Sequence, residues 1–163
     1  MRVDTLMAAE VAMVRPEATV RTAIGRMSSH GCGFLPVVDG GSRVVGVVTD
    51  RDAALALGTD DARPSERTVA DVMTVDPHTC RADETVQQVL CRMRDAQVRR
   101  LPVVDHDGVL VGAISIDDLV PVAQNVRAGT DRVSFEQVLE AVKALSERAS
   151  QQTRPVPRGI PRP

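Results

Sequence analysis

The chain has 163 residues, 43% of them hydrophobic and 26% charged, with a formal net charge of −2 and only two aromatic side chains, Phe34 and Phe135. Such a chain offers neither the basic surface nor the stacking rings of a nucleic-acid binder, and it lacks the aromatic faces of a carbohydrate site. No stretch reaches the ~18 uninterrupted apolar residues of a membrane span, the first residues carry Asp4 and Glu10 where a signal peptide would be apolar, and a soluble, cytoplasmic protein is expected.

The predicted elements occur twice along the chain. Valine accounts for 27 residues, so the core should be β-branched and rich in strands. Thr19 stands where a helix N-cap belongs, followed by Val20, Ala23, Ile24 and Met27 at helical spacing. An apolar run at 34–38 is closed by the turn Asp39-Gly40-Gly41-Ser42, and a second run follows at 44–48, the pattern of a hairpin. The polar cluster Thr49-Asp50-Arg51-Asp52 then opens another helix. A polar linker, residues 58–68, comes next.

From there the same order returns 66 residues later without a gap. Val69-Ala70-Asp71-Val72-Met73 answers Val3-Asp4-Thr5-Leu6-Met7, and Thr85 with Val86, Val89, Leu90 and Met93 answers the first helix. LPVVD at 35–39 recurs at 101–105, the turn recurs as Asp105-His106-Asp107-Gly108, and Val45-Gly46 recurs as Val111-Gly112. An ungapped register of this length marks a duplication. Each copy reads strand–helix–strand–strand–helix, and about fifty residues cannot cover both faces of a sheet, so the copies should share an interface about a pseudo-twofold axis. The fold class is α/β, with one repeat over residues 1–57 and the other over 69–125. In the second copy Pro121 falls past the first turn of the last helix, which should end early or kink. Ser134 and Gln137 then form a capping box for a helix over 134–148, with Phe135, Val138, Leu139, Val142 and Leu145 on its apolar face. The Pro- and Arg-rich residues 151–163 read as a disordered tail.

Three cysteines, Cys32, Cys80 and Cys91, and three histidines, His30, His78 and His106, are scattered without metal-ligand spacing, and Cys91 reads as a packing residue of the third helix. No set of nucleophile, base and orienting acid recurs in the two copies. No metal or catalytic centre is expected, and the chain does not read as an enzyme.

One motif recurs where chemistry is conceivable. Gly46-Val47-Val48-Thr49-Asp50-Arg51-Asp52 and Gly112-Ala113-Ile114-Ser115-Ile116-Asp117-Asp118 each place a hydroxyl residue three positions before an acid at the start of a helix. That spacing makes a capping box. It also makes a site in which a helix N-terminus and a hydroxyl meet a phosphate while the acid accepts ribose hydroxyls. Spacing alone leaves both readings open. Arg99 and Arg100 precede the strand beside the second motif, as phosphate-reaching guanidiniums or as a solvated strand edge. Arg51, beside Asp50, is a further candidate that a surface ion pair explains equally well.

With the LPVVD strand and the G-h-h-[ST]-x-x-D ending each present twice, the chain resembles a tandem pair of CBS domains, the modules named after cystathionine β-synthase, in a stand-alone Bateman-type arrangement. The resemblance implies one adenosyl-ligand cleft per repeat, with Thr49 and Asp52 holding phosphate and ribose in one, and Ser115 and Asp118 in the other. It implies a regulatory module without a cofactor that senses AMP, ADP, ATP, S-adenosylmethionine or NAD, forms a homodimer and signals to an effector protein. The competing reading is a ligand-free dimerisation adaptor.

Overall fold

The computed structural model describes residues 1–58, 63–124 and 132–152, the side chains of 148–152 excepted. The centre of the linker, residue 125 and the tail from 153 onward lie outside the described residues.

The order is α1 (Val20–His30), β1 (Phe34–Val38), β2 (Val44–Thr49), α2 (Asp50–Gly58), β3 (Thr74–Val75), β4 (Cys80–Arg81), α3 (Val86–Ala96), β5 (Arg100–Val104), β6 (Leu110–Ser115), α4 (Ile116–Leu119) and α5 (Phe135–Gln152), with single 3-10 turns at Val3–Thr5 and Val69–Asp71. The helices begin where the sequence supplies caps. The Thr19 hydroxyl accepts from the Thr22 N–H at 3.1 Å, and the Thr85 hydroxyl accepts from the Gln88 N–H at 3.3 Å. Each satisfies a donor the first helical turn leaves unpaired. Each hairpin turn is fixed by its aspartate: Asp39 Oδ1 accepts from the Gly41 and Arg43 N–H groups, and Asp105 Oδ1 from those of Asp107 and Val109, all at 2.9 Å.

Two three-stranded sheets result, ordered β1-β2-β3 and β4-β5-β6. The opening strand of the first copy contracts to one residue, Val14, which bridges Val37 in parallel, whereas its counterpart β4 pairs with β5 over Cys80 and Arg81. The strand closing the first sheet, β3, comes from the segment leading into the second copy, residues 69–79, and the corresponding lead-in of the first copy, residues 3–13, returns the exchange, with Ala8 bridging Ala113 on β6. Val3 accordingly lies in the core of the second copy with Val86, Val89, Met93 and Leu101, while Val69 lies in that of the first with Ala23, Met27 and Leu35. Both valines are fully buried, each worth about 1.5–3 kcal/mol relative to exposure.

The hydrogen bonds follow the pseudo-twofold axis pair by pair. Val3 N–H donates to Glu84 C=O at 3.0 Å and Val69 N–H to Ala18 C=O at 2.7 Å. Where the hairpins meet, Val44 N–H donates to Gly108 C=O and Leu110 N–H to Ser42 C=O, both at 3.0 Å. Every residue in these pairs is displaced by the same 66 positions.

The symmetry fails at the last helix. α2 runs nine residues, but α4 stops after four, at Leu119, two residues short of Pro121. α5 packs on α3 instead and buries Val138, Ala141 and Leu145 in the second core. Three sequence expectations are corrected here. Phe135 and Leu139 stay 56% and 52% exposed, because the contact stripe passes through Ala141 and leaves both on its flank. Cys91 is exposed, not packed, because Val89, Leu90 and Met93 already fill the inward face of α3 and the next position turns outward. α5 also extends to Gln152, past the expected end at 148.

Candidate functional site

The repeated motif closes on itself in both copies. At the end of β2 the Thr49 N–H and hydroxyl donate to Asp52 Oδ2 at 2.8 and 2.7 Å, and the Asp52 N–H donates back to Thr49 Oγ1 at 3.3 Å. At the end of β6 the Ser115 N–H and hydroxyl donate to Asp118 Oδ2, both at 2.7 Å, and the Asp118 N–H donates to Ser115 Oγ at 3.3 Å. These are full capping boxes, which α2 and α4 need to satisfy their first N–H groups. They use one carboxylate oxygen each, so Oδ1 of Asp52 and of Asp118 takes no part in the box. All four residues are half-buried.

The motif glycine has a separate reason. A Cβ on Gly112 would lie 2.5 Å from the Ala8 carbonyl oxygen, and one on Gly46 would lie 2.7 Å from Met73 Sδ and 3.0 Å from the Thr74 carbonyl oxygen. Glycine is what lets the exchanged lead-ins cross β6 and β2, and thereby brings the two copies together beside the motif.

The neighbouring strand puts the arginines at the same sheet end as the second box. Arg100 registers opposite Ser115, and Ile116 N–H donates to Arg99 C=O at 2.9 Å. Both guanidiniums face the Asp117 carboxylate, Arg99 at 3.6 Å and Arg100 at 3.9 Å, with the arginine side chains 57% and 41% exposed. In the first copy Phe34 registers opposite Thr49, and Arg51 is exposed next to Asp50, whose Oδ1 accepts the Arg51 N–H at 2.8 Å. The structure therefore assembles Ser115, Asp118, Arg99 and Arg100 at one sheet end, and Thr49, Asp52 and Arg51 at the other.

Among the described residues, two concavities lie apart from these sheet ends. One, of about 680 Å³, is an open depression on the outer side of α3, lined by His78, Gln88, Cys91, Arg92 and Asp95 among others. The other, of about 480 Å³, lies between the copies, with residues 9–13 of the first lead-in on one wall and Leu110, Val111 and Gly112 of β6 on the other. None of the seven site residues read from the sequence lines either one. The inter-repeat cavity is built by both copies and borders the strand that ends in Ser115. Its lead-in wall carries no polar motif, and only the crossing at Gly112 signals it in the sequence.

Among the described residues no cluster of histidine, cysteine and carboxylate side chains suits a metal ion, and no helix is long and apolar enough to cross a membrane.

Comparison with known proteins fits this geometry. The CBS domain family matches residues 3–59 and again 69–124. An inosine-5'-monophosphate dehydrogenase of Methanocaldococcus jannaschii is 30% identical over 131 residues, which is 80% of this chain but 25% of that enzyme. The CBS domain pair of protein MJ0100, solved with 5-methylthioadenosine and S-adenosyl-L-methionine, superimposes with a TM-score of 0.67 at 25% identity, covering 74% of this chain and 94% of that one. CBSX2, solved in complex with AMP, superimposes with a TM-score of 0.65 at 28% identity, covering 74% of this chain and 93% of that one. With its two matched halves, its exchanged lead-ins and its twofold hydrogen-bond pairs, the chain belongs to the CBS domain family, as a tandem pair.

Proposed function

We propose that this CBS pair is a non-catalytic regulatory module that binds an adenosyl ligand between its repeats and acts in the cytoplasm as a sensor of ligand or energy state. The observation that carries the reading is the hydroxyl–carboxylate box formed twice, at Thr49–Asp52 and Ser115–Asp118, each with a carboxylate oxygen outside the box. In each cleft the acid accepts ribose hydroxyls through that oxygen, and the hydroxyl residue with the helix start meets the first phosphate. Arg99 and Arg100 meet further phosphates, and Arg51 sits at the mouth of the first cleft. AMP in CBSX2, and S-adenosyl-L-methionine with 5-methylthioadenosine in MJ0100, support the adenosyl class. The candidate ligands are AMP, ADP, ATP, S-adenosylmethionine and NAD. The module forms a homodimer and passes its state to an effector protein. Three free cysteines, Cys32, Cys80 and Cys91, suit a reducing compartment.

A ligand-free adaptor is the second reading, favoured by the closure of both boxes as helix caps. Calorimetric titration with the five ligands, paired with thermal shift, separates the two, because a ligand of the folded state raises the melting midpoint. Asp52→Ala and Asp118→Ala are each expected to weaken binding at one cleft by about 1.5–3 kcal/mol, the scale of a charge-assisted hydrogen bond. Wild-type affinity in the double variant would leave the acids as caps alone.

A further inference from the structure

The two sheet ends differ in one coupled set of substitutions. Counting across the repeat, Gly33 answers Arg99, Phe34 answers Arg100, Asp50 answers Ile116 and Arg51 answers Asp117. The backbone is alike at both ends: Asp50 N–H donates to Gly33 C=O at 3.2 Å, as Ile116 N–H does to Arg99 C=O at 2.9 Å. The side chains are opposite. A Cβ on Gly33 would lie 2.5 Å from Asp50 Oδ2 and 2.9 Å from its carboxyl carbon, so the Asp50 carboxylate fills the space where the side chain of residue 33 would begin. In the second copy Ile116 turns into the core, 1% exposed, and the strand end is left to the Arg99 side chain. Glycine at 33 and aspartate at 50 thus come as a pair, and so do arginine at 99 and isoleucine at 116.

The charge at the two ends is changed accordingly. The first has Arg51 against Asp50 and Asp52, and the second has Arg99 and Arg100 against Asp117 and Asp118. The arginines of the second end hold Asp117 only at 3.6 and 3.9 Å, in solvent, which is a weak pairing that a multiply charged phosphate displaces. At the first end the exposed Asp50 carboxylate repels an incoming phosphate and attracts an ammonium or sulfonium.

We propose that the clefts sort adenosyl ligands by charge, the first taking an uncharged or cationic compound through Asp50 and the second a polyphosphate through Arg99 and Arg100. This rests on the adenosyl-binding reading above and names the ligand class of each site. The test is calorimetry on the full chain with ATP and with S-adenosylmethionine, separately and together. Wild type is expected to bind one of each per chain without competition. Asp50→Asn keeps an acceptor for the Arg51 N–H but removes the charge; it should raise ATP affinity at the first cleft by about tenfold, the effect of one charge at the protein surface, and weaken S-adenosylmethionine. Raising the salt should narrow the difference between the variants. The unliganded melting curve checks that the variant is folded, and Arg99→Gln with Arg100→Gln provides the reciprocal measurement, a selective loss of ATP. Equal ATP affinity at both clefts, untouched by Asp50→Asn, would overturn the sorting while leaving adenosyl binding intact. Competition of ATP and S-adenosylmethionine for a single cleft would do the same. Absence of heat from both ligands in wild type would overturn the binding reading and the sorting together.

Discussion

At Gly112 the missing side chain is occupied by another part of the same chain. Its Cβ position lies 2.5 Å from a backbone oxygen, that of Ala8, whereas the nearest obstacle at Gly46 is the flexible tip of Met73, at 2.7 Å. Gly112→Ala is therefore expected to cost more than Gly46→Ala, within the roughly 1–3 kcal/mol typical of overpacking, and urea midpoints of the two variants will rank them. Cys80 carries a different constraint. Burial, with Glu84 nearby and Arg92 partly offsetting, pushes its thiol up from 9.0 to about 12. The unfolded thiol releases its proton in that interval while the folded one keeps it, so the unfolded state binds fewer protons and stability falls as pH rises. The contribution is complete below pH 9 and disappears on the way to pH 12. The chain has one lysine, Lys143, and no tyrosine, so few other side chains ionise in that window. Cys80→Ala is expected to flatten the alkaline decline of the urea midpoint between pH 9 and 11; an unaltered slope would place its cause elsewhere.

The elements show what a four-residue helix does to a duplicated fold. α4 ends before Pro121 and cannot cover α3 as α2 covers α1, and α5 supplies the missing surface through Val138, Ala141 and Leu145. The junction is tied by Gln87 Nε2 donating to Arg132 C=O at 3.1 Å and by the bridge from Gln124 to Ser134. Leu145→Ala should lower stability by about 2–5 kcal/mol, as for other buried leucines, measured by chemical denaturation; a change near zero would show that α5 is docked only loosely. Much of this was legible in the sequence, since Pro121, the Thr19 and Thr85 caps and the Ser134–Gln137 box act within a few residues of themselves. Cys91, Phe135 and Leu139 were not, because a helix bearing more apolar side chains than one contact can cover does not reveal which of them will face it. The candidate site divides the same way. The boxes at Thr49 and Ser115 are local and were readable, but the lead-in wall of the inter-repeat cavity and the hold of Asp50 on the Gly33 position depend on where distant backbone crosses.

On the scale of the whole molecule, the crossing of the lead-ins ties the copies together more firmly than any surface ion pair. Neither core is complete from its own residues: Val3 fills a place in the second and Val69 the equivalent place in the first. Unfolding by denaturant should therefore be a single cooperative transition seen alike by probes in both halves, and two resolved transitions would contradict it. Because Val3 and Val69 occupy equivalent places, each lead-in also fits the core of its own kind in a second molecule. A chain cut to residues 1–58 should thus remain unfolded when dilute and fold only by trading lead-ins with a second molecule, as a domain-swapped dimer whose melting temperature rises with concentration. Folding of that fragment as a monomer would rule this out. A protein assembled from this unit is accordingly counted in twos: a lone copy has an incomplete interior, and an odd one must recruit its complement from another molecule.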